Sequence, residues 1–355
     1  MNWKRAVIMN NVNKEKLSVR KIMIKNLLLL VIVVEIAIGY LINPSLLTPS
    51  NIQVILFACT LNGLISIGQS LMLIAKEIDL SVGANLVFAP MLAVYTTNIF
   101  YNIFTGTGIL QGTTGFMTGG WAMVVLLTLV FGALLGLVNG LIVTKLKVPA
   151  FVTTIGMAFF MKGMAYVMTS GVPISFQNME ETKFVGNTSL FDVIPISVII
   201  FIIVGLLIIF INSRTKFGMR LYATGGAEKA AKLSGINTGK WKTIIFTLCG
   251  FLVGIAAVMS MSRIQGVDIT QSAGYDLNSI AISIMGGIAI SGGRGSISGT
   301  MQATLIVAIL LNILSLQGLM AYYQTAITGV VIIILAIIYK RNESKRLKQL
   351  KIIEV

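Results

Sequence analysis

The chain has 355 residues, of which 56% are hydrophobic and only 11% charged. That is too little polar material to cover a soluble globule, where about a quarter of residues carry charge. The net charge of +15 would suit a nucleic-acid binder, but the placement of the basic residues, set out below, argues for orientation in a membrane instead. No histidine is present, which excludes His-based catalysis and His-ligated metals.

Apolar runs of about 20 residues are what a hydrocarbon core of about 30 Å requires of a helix. In chain order they are predicted at 27–42, 53–75, 83–103, 119–143, 149–168, 193–212, 243–261, 279–290, 298–316 and 322–339. That makes ten, two of them short or marginal. The first follows a basic arm, as the core of a signal peptide would, but no small-residue cleavage site follows Tyr40, so a retained helix is expected. Cys59 and Cys249 lie inside apolar runs, where a thiol behaves as a small hydrophobe, and no disulfide framework or CxxC metal site exists.

With ten spans and the amino terminus inside, 24 of the 27 Lys and Arg fall on one side. They occupy the arm 1–26, the turns at 76, 145–147 and 294, the loop 213–242 and the tail 340–355. This positive-inside bias predicts that both termini are cytoplasmic. The expected organisation is a basic arm over 1–26, one membrane domain over 27–339 and a basic tail over 340–355.

Two stretches interrupt the apolar pattern in a related way. NGLISIGQSLMLIA (62–75) runs into KEIDLSV (76–82), and NSIAISIMGGIAI (278–290) runs into SGGRGSI (291–297); each then resumes as an apolar segment. The run 279–290 makes only about 18 Å of helix, so irregular backbone is expected at membrane depth, tolerated there where it is buried in protein or lines a wet cavity. Paired breaks in halves that enter the membrane in opposite senses point to an inverted repeat and a transport pathway. Ordinary tight turns are the alternative.

In the first break, Asp79 and Ser81 are spaced to cap the helix that starts near Gly83, or to serve a gate, since charges beside spans are costly unless paired or hydrated. In the second, Gly292 and Gly293 permit a backbone-close turn and Ser296 is placed to cap the next helix, while Arg294 either pairs with Asp79 or lies at the surface. A phosphate loop is excluded there, because G-x-x-x-x-G-K-[ST] occurs nowhere in the chain. Glu35, Asn62, Gln69, Lys162 and Asn312 are polar residues inside predicted spans.

The loop 213–242 contains AEKAAKLS after Gly225 and Gly226. Its strong helix formers, with Glu228 in the first turn, Lys232 near the last and Gly235 as a C-terminal cap, predict a short helix from Ala227 to Ser234 between glycine hinges. So short a helix is marginal alone and is expected to dock on something, unless the stretch is an ordinary surface turn.

At these segments the chain resembles the permease family of bacterial ABC importers for ribose, xylose, arabinose, galactose and related solutes. IGQSLMLIAKEIDLSVG (67–83), VNGLIVTKLKVPAFVTTIGMAFFMKGMAYVMTSGVPI (138–174), TKFGMRLYATGGAEKAAKLSGI (215–236) and GYDLNSIAISIMGGIAISGGRGSISGT (274–300) carry the resemblance. It implies an all-α integral membrane fold of about ten transmembrane helices in the bacterial inner membrane, with no cofactor. It also implies three protein partners: a second permease copy or homologue, an extracytoplasmic solute-binding protein and a cytoplasmic ATPase. The two breaks themselves offer Asp79, Ser81, Gly83, Gly292, Gly293, Arg294 and Ser296 as pathway or gate residues. By the resemblance Gly226, Ala227, Glu228, Ala230, Ala231, Lys232 and Gly235 belong to a coupling helix that docks on the ATPase. Glu77 stands where the family's Gly-Ile-Asp-Leu-Ser-Val-Gly signature commonly begins with glycine.

Two other classes fit less well. A secondary transporter needs ionisable relays in its spans, and only Glu35 and Lys162 are available. An intramembrane enzyme needs a catalytic constellation, and the chain has no GxSxG and no cluster of acids.

Overall fold

The computed structural model describes residues 27–105, 120–176, 180–190 and 193–320, with isolated residues between 323 and 337. The predicted arm 1–26, the tail 340–355 and most of the predicted span 322–339 lie outside the described residues.

The described chain is a helical bundle. Its elements are α1 (Leu27–Ile42), α2 (Pro49–Ile74), α3 (Val82–Thr105), α4 (Trp121–Lys145), α5 (Ala150–Thr169), a short α6 (Phe184–Asn187), α7 (Ile196–Arg214), α8 (Lys216–Gly226), α9 (Glu228–Leu233), α10 (Thr238–Ile264), α11 (Tyr275–Met285) and α12 (Ile297–Leu316). Among the described residues seven helices, α2, α3, α4, α5, α7, α10 and α12, are long and apolar enough to cross a membrane. The described residues therefore support seven spans by length and not the expected count of about ten, the predicted span 322–339 lying mostly outside them. At 16 and 11 residues, α1 and α11 give only about 24 and 16 Å of helix. Two two-stranded pieces tie loops together: β1 (Ile174–Ser175) pairs antiparallel with β4 (Gly266–Val267), and β2 (Ser189–Leu190) with β3 (Ile194–Pro195).

The core is built on α2 and α10, whose apolar residues are buried along most of their length. Against α10 lies α4, and the seam between them is glycine. A Cβ at Gly136 would overlap the carbonyl oxygen of Phe246, one at Gly250 would overlap that of Gly132, and one at Gly140 would lie 2.9 Å from the Cα of Thr243. Backbones approach this closely only where side chains are absent, as lipid-embedded helices without a hydrophobic drive between them favour. The seam ends in a bond of 2.9 Å between the hydroxyls of Thr144 and Thr243. The spacing Gly132, Gly136, Gly140 was visible in GALLGLVNG, although the sequence reading did not single it out.

Polar residues inside the spans fasten helices to one another. Asn51 and Asn312 exchange side-chain amide bonds of 2.8 and 2.9 Å between α2 and α12. Ser70 on α2 bonds Ser283 on α11 at 2.9 Å and Thr300 on α12 at 2.8 Å. Asn62 bonds back to the Ala58 carbonyl in its own helix at 3.0 Å. Such bonds between apolar helices contribute about 0.6 kcal/mol each on average, but they fix the register of the contact.

Candidate functional site

The break after α2 is shaped by its own hydrogen bonds. Lys76 adopts the left-handed conformation, φ 65°, and donates its N–H to Leu73 at 2.9 Å, while the Glu77 N–H donates to Met72 at 2.9 Å. This pair of bonds closes the helix and turns the chain. Four residues later α3 begins, the Asn85 N–H donating to the Ser81 carbonyl at 2.8 Å.

Asp79 is 2% exposed. Its Oδ1 accepts from the Ser81 N–H at 2.8 Å and from the Ser81 hydroxyl at 2.6 Å, a local turn of the kind Asp favours. Ser81 in turn accepts from the Asn139 amide on α4 at 2.9 Å, and the Leu80 N–H donates to Thr154 on α5 at 3.1 Å. Cys249 of α10 packs against the body of α2, where a Cβ on Gly68 would lie 2.9 Å from its sulfur. A Cβ on Gly83 would lie 2.5 Å from the carbonyl oxygen of Ser272, so the start of α3 is butted against the short 3-10 turn Ile269–Ser272.

The second break begins with the same stop. Gly287, φ 93°, donates to Ile284 at 2.9 Å, and Ile288 donates to Ser283 at 3.1 Å. Beyond it Gly292 and Gly293 are left-handed, φ 82° and 70°, and the Gly293 N–H donates to the carbonyl of Ile74 at 2.8 Å. A Cβ on Gly225 would overlap that same carbonyl, and one on Gly293 would overlap the Cα of Gly226. Three segments, the end of α2, the end of α8 and the 291–295 turn, thus meet backbone on backbone. Tyr222 locks the arrangement, accepting from Asn212 at 3.0 Å and donating to the Gly295 carbonyl at 2.8 Å.

The two breaks do meet, and of the two alternatives for Arg294, pairing with Asp79 or lying at the surface, the second is observed. Asp79 is taken up by Ser81, and Arg294 is exposed, with no ion pair between them. Gly225 and Gly226 are not loose hinges; they form the last turn of α8, a helix within the expected loop 213–242, and Gly225 is glycine because the Ile74 backbone leaves no room for a side chain, whereas a Cβ at Gly226 would meet the Gly293 Cα only at 3.7 Å. Ser296 occupies the cap position of α12 without a side-chain capping bond, its hydroxyl lying 2.6 Å from that of Ser298.

The helix expected at 227–234 is present as α9, with Ala227 and Ser234 as its flanking caps. Gly235, φ 79°, donates to Lys232 at 3.0 Å and Ile236 donates to Ala231 at 3.0 Å, so the predicted glycine cap is formed. Ala231 is buried against the chain itself, whereas Ala230 and Lys232 are exposed. Leu233, absent from the sequence expectations, is 90% exposed.

Glu228 is the centre of an ion network. It binds Lys232 at 2.8 Å and Lys242 at 2.9 Å and accepts from the Thr238 hydroxyl at 3.1 Å, and the bonds from Lys232 and Lys242 hold its carboxyl down at about 2. Lys242 also binds Glu77 at 2.7 Å, linking the first break to α9. Glu77, Lys147, Glu228, Lys232 and Lys242 line a cavity of about 750 Å³ beside α9. Nearby, Arg220 of α8 sits over the Trp241 ring at 5.1 Å, with Phe217 edge-on to the same ring, which docks α8 on the start of α10.

A bundle of long apolar helices, broken at two points that converge and carrying a short charged helix beside them, defines a multi-pass membrane protein. Residues 51–336 match the family described as branched-chain amino acid transport system / permease component, and the chain belongs to that family. It is 32% identical to the ribose import permease protein RbsC of Escherichia coli strain K12 over 323 residues, 89% of this chain and 93% of that one. It is 34% identical to the ribose import permease protein RbsC of Bacillus subtilis strain 168, over 90% and 91% of the two chains. A xylose/arabinose import permease protein of Sulfolobus acidocaldarius is 28% identical over 91% of this chain and 87% of its own. No solved structure matches.

Proposed function

We propose that the protein is the transmembrane permease subunit of an ATP-binding-cassette importer, carrying a monosaccharide or related solute into the cytoplasm. The observation that carries this reading is the alignment along about nine-tenths of the chain with permeases named for ribose and for xylose/arabinose import. In this reading a separate ATPase supplies the energy, an extracytoplasmic binding protein supplies the solute, and a second permease copy or homologue completes the pore. The protein lies in the inner membrane with both termini cytoplasmic. Counting α1, α11 and the apolar run 322–339 gives about ten membrane segments. The shared stop at the ends of α2 and α11 supports an inverted repeat whose two breaks form the gate: Asp79, Ser81 and Gly83 on one side, and Gly292, Gly293, Arg294 and Ser296 on the other. α9 is then the coupling helix, and its exposed Ala230, Lys232 and Leu233 face the ATPase.

Reconstitution with its ATPase and binding protein in liposomes should give ATP-dependent uptake of labelled ribose, arabinose or xylose. The permease alone should show neither hydrolysis nor uptake. Uptake of labelled leucine in place of every sugar would overturn the solute class, and turnover by this polypeptide alone would overturn the ATP-binding-cassette assignment.

Topology gives an independent check. Lys232→Cys should react with a membrane-impermeant maleimide only after the cell is opened, since α9 has to reach a cytoplasmic ATPase. Labelling of intact cells at that position would invert the scheme.

A further inference from the structure

We infer that Glu77 is a positioning residue that ties the first break to α9 through the shared ammonium of Lys242, so that displacement of α9 is passed to the segment carrying Asp79. The inference rests on the proposed role of α9 as the helix that meets the ATPase.

The geometry is a three-point bridge. Lys242, in the first turns of α10, lies 2.7 Å from Glu77 and 2.9 Å from Glu228. Its two halves differ in their access to water. The side chains of Glu77 and Lys242 are 12% and 15% exposed, while that of Glu228 is 39% exposed and shared with Lys232 and Thr238. An ion pair shielded from solvent is screened less by water and salt than an open one, and breaking it by removing one partner strands a charge. The Glu77–Lys242 half is therefore the fixed end and Glu228 is the detachable one. Lys242 carries no net excess in either position of α9, because Glu77 neutralises it when Glu228 withdraws.

The fixed end is attached to the break. Glu77 closes α2 through its N–H bond to Met72, and two residues on, Asp79 is held by Ser81, which is held by Asn139. A pull on Lys242 thus reaches a segment whose next anchors lie on α4 and α5. Without the Glu77 carboxylate, α9 keeps the contacts of Glu228 to Lys242 and Thr238, but the break is no longer attached to them. Coupling should then be lost before assembly is.

Glu77→Gln, Lys242→Gln and the double variant distinguish this from a structural role. In proteoliposomes carrying the complete importer, Glu77→Gln should raise ATP hydrolysed per sugar imported by about five-fold, as uncoupling within one ion-pair network allows, with the ATPase still co-purifying at the wild-type ratio. The double variant should be no worse than Lys242→Gln alone. An unchanged ratio in Glu77→Gln, or strictly additive losses, would overturn the link.

A second measurement needs neither ATPase nor sugar. In the purified full-length permease, spin labels at Lys76→Cys and Lys229→Cys should give a broader distance distribution when Glu77 is Gln; an unchanged distribution would also overturn the link. If the wild-type importer carries no sugar while the distribution broadens, the functional reading fails and the bridge stands. Normal sugar import with an unchanged ratio and distribution removes the bridge alone.

Discussion

Gly225→Val should leave little correctly assembled protein in the membrane. The new Cβ would overlap the Ile74 carbonyl oxygen, with the Ile74 carbonyl carbon at 2.8 Å and the Ala75 carbonyl carbon at 3.0 Å. All of these atoms are backbone, so no side chain can swing aside. The same carbonyl accepts the Gly293 N–H at 2.8 Å, and displacing it disturbs the contact between the two breaks as well. Overpacking costs about 1–3 kcal/mol where a core can adjust, and more where it cannot. Against a total stability of about 5–15 kcal/mol that is a large fraction.

The control is Gly156→Ala in α5, where an added Cβ meets nothing within 4 Å and alanine is the better helix former. Thermal size-exclusion of detergent extracts should show Gly225→Val as aggregated or missing and Gly156→Ala at or slightly above the wild-type midpoint. A wild-type profile for Gly225→Val would show that the ends of α2 and α8 are not in backbone contact.

Leu233→Asp should abolish capture of the ATPase while leaving the permease itself intact. A leucine 90% exposed at the end of a six-residue helix contributes little to the fold that holds it, and α9 is fastened elsewhere, by Ala231, by the Gly235 cap and by the Glu228 network. If α9 enters a cleft of the ATPase, Leu233 is the apolar anchor, and replacing an interface anchor by a charge costs about 2 kcal/mol or more, over ten-fold in affinity. Ala231→Glu acts by another route. Its side chain would be forced into the permease, so the expected result is detachment of α9 and a lower melting temperature, not simply a poorer docking face. Co-purification of the ATPase together with the thermal midpoint separates the two. Retained capture by Leu233→Asp would show that the ATPase is met by another face.

The long spans were legible in the sequence because nearly uninterrupted apolar runs have few other uses. Where the reading erred, a local signal was weak. α10 begins at Thr238, not near 243, because its first turn, TGKWK, is polar and amphipathic and looks like loop until Lys242 is seen to be held by two carboxylates. α8 ends in two glycines that argue against helix by propensity; the tight fit against Ile74 outweighs that cost. The cap at Gly235 and the charges of α9 were readable because they are local. Charge alone left Arg294 with two alternatives, Asp79 or the surface, because it carries no information on tertiary contact; a hydroxyl two residues along the chain takes the carboxylate of Asp79. Glu77 stood out as unusual, but its partner is 165 residues distant, and no spacing rule reaches that far.

The glycine seam between α4 and α10 bears on how such a bundle moves. Two helices that touch main chain to main chain have no rotamers to exchange and no methyl groups to slide over, so they lack the soft degrees of freedom through which packed helices shear. Gly132, Gly136, Gly250 and their neighbours therefore join α4 and α10 into one stiff beam, closed at one end by the Thr144–Thr243 bond. Lys242 and Asn139, two of the attachment points of the first break, sit on opposite members of that beam. Any opening of the bundle must then rotate the beam as a unit against its surroundings, with the bending confined to the two interrupted segments.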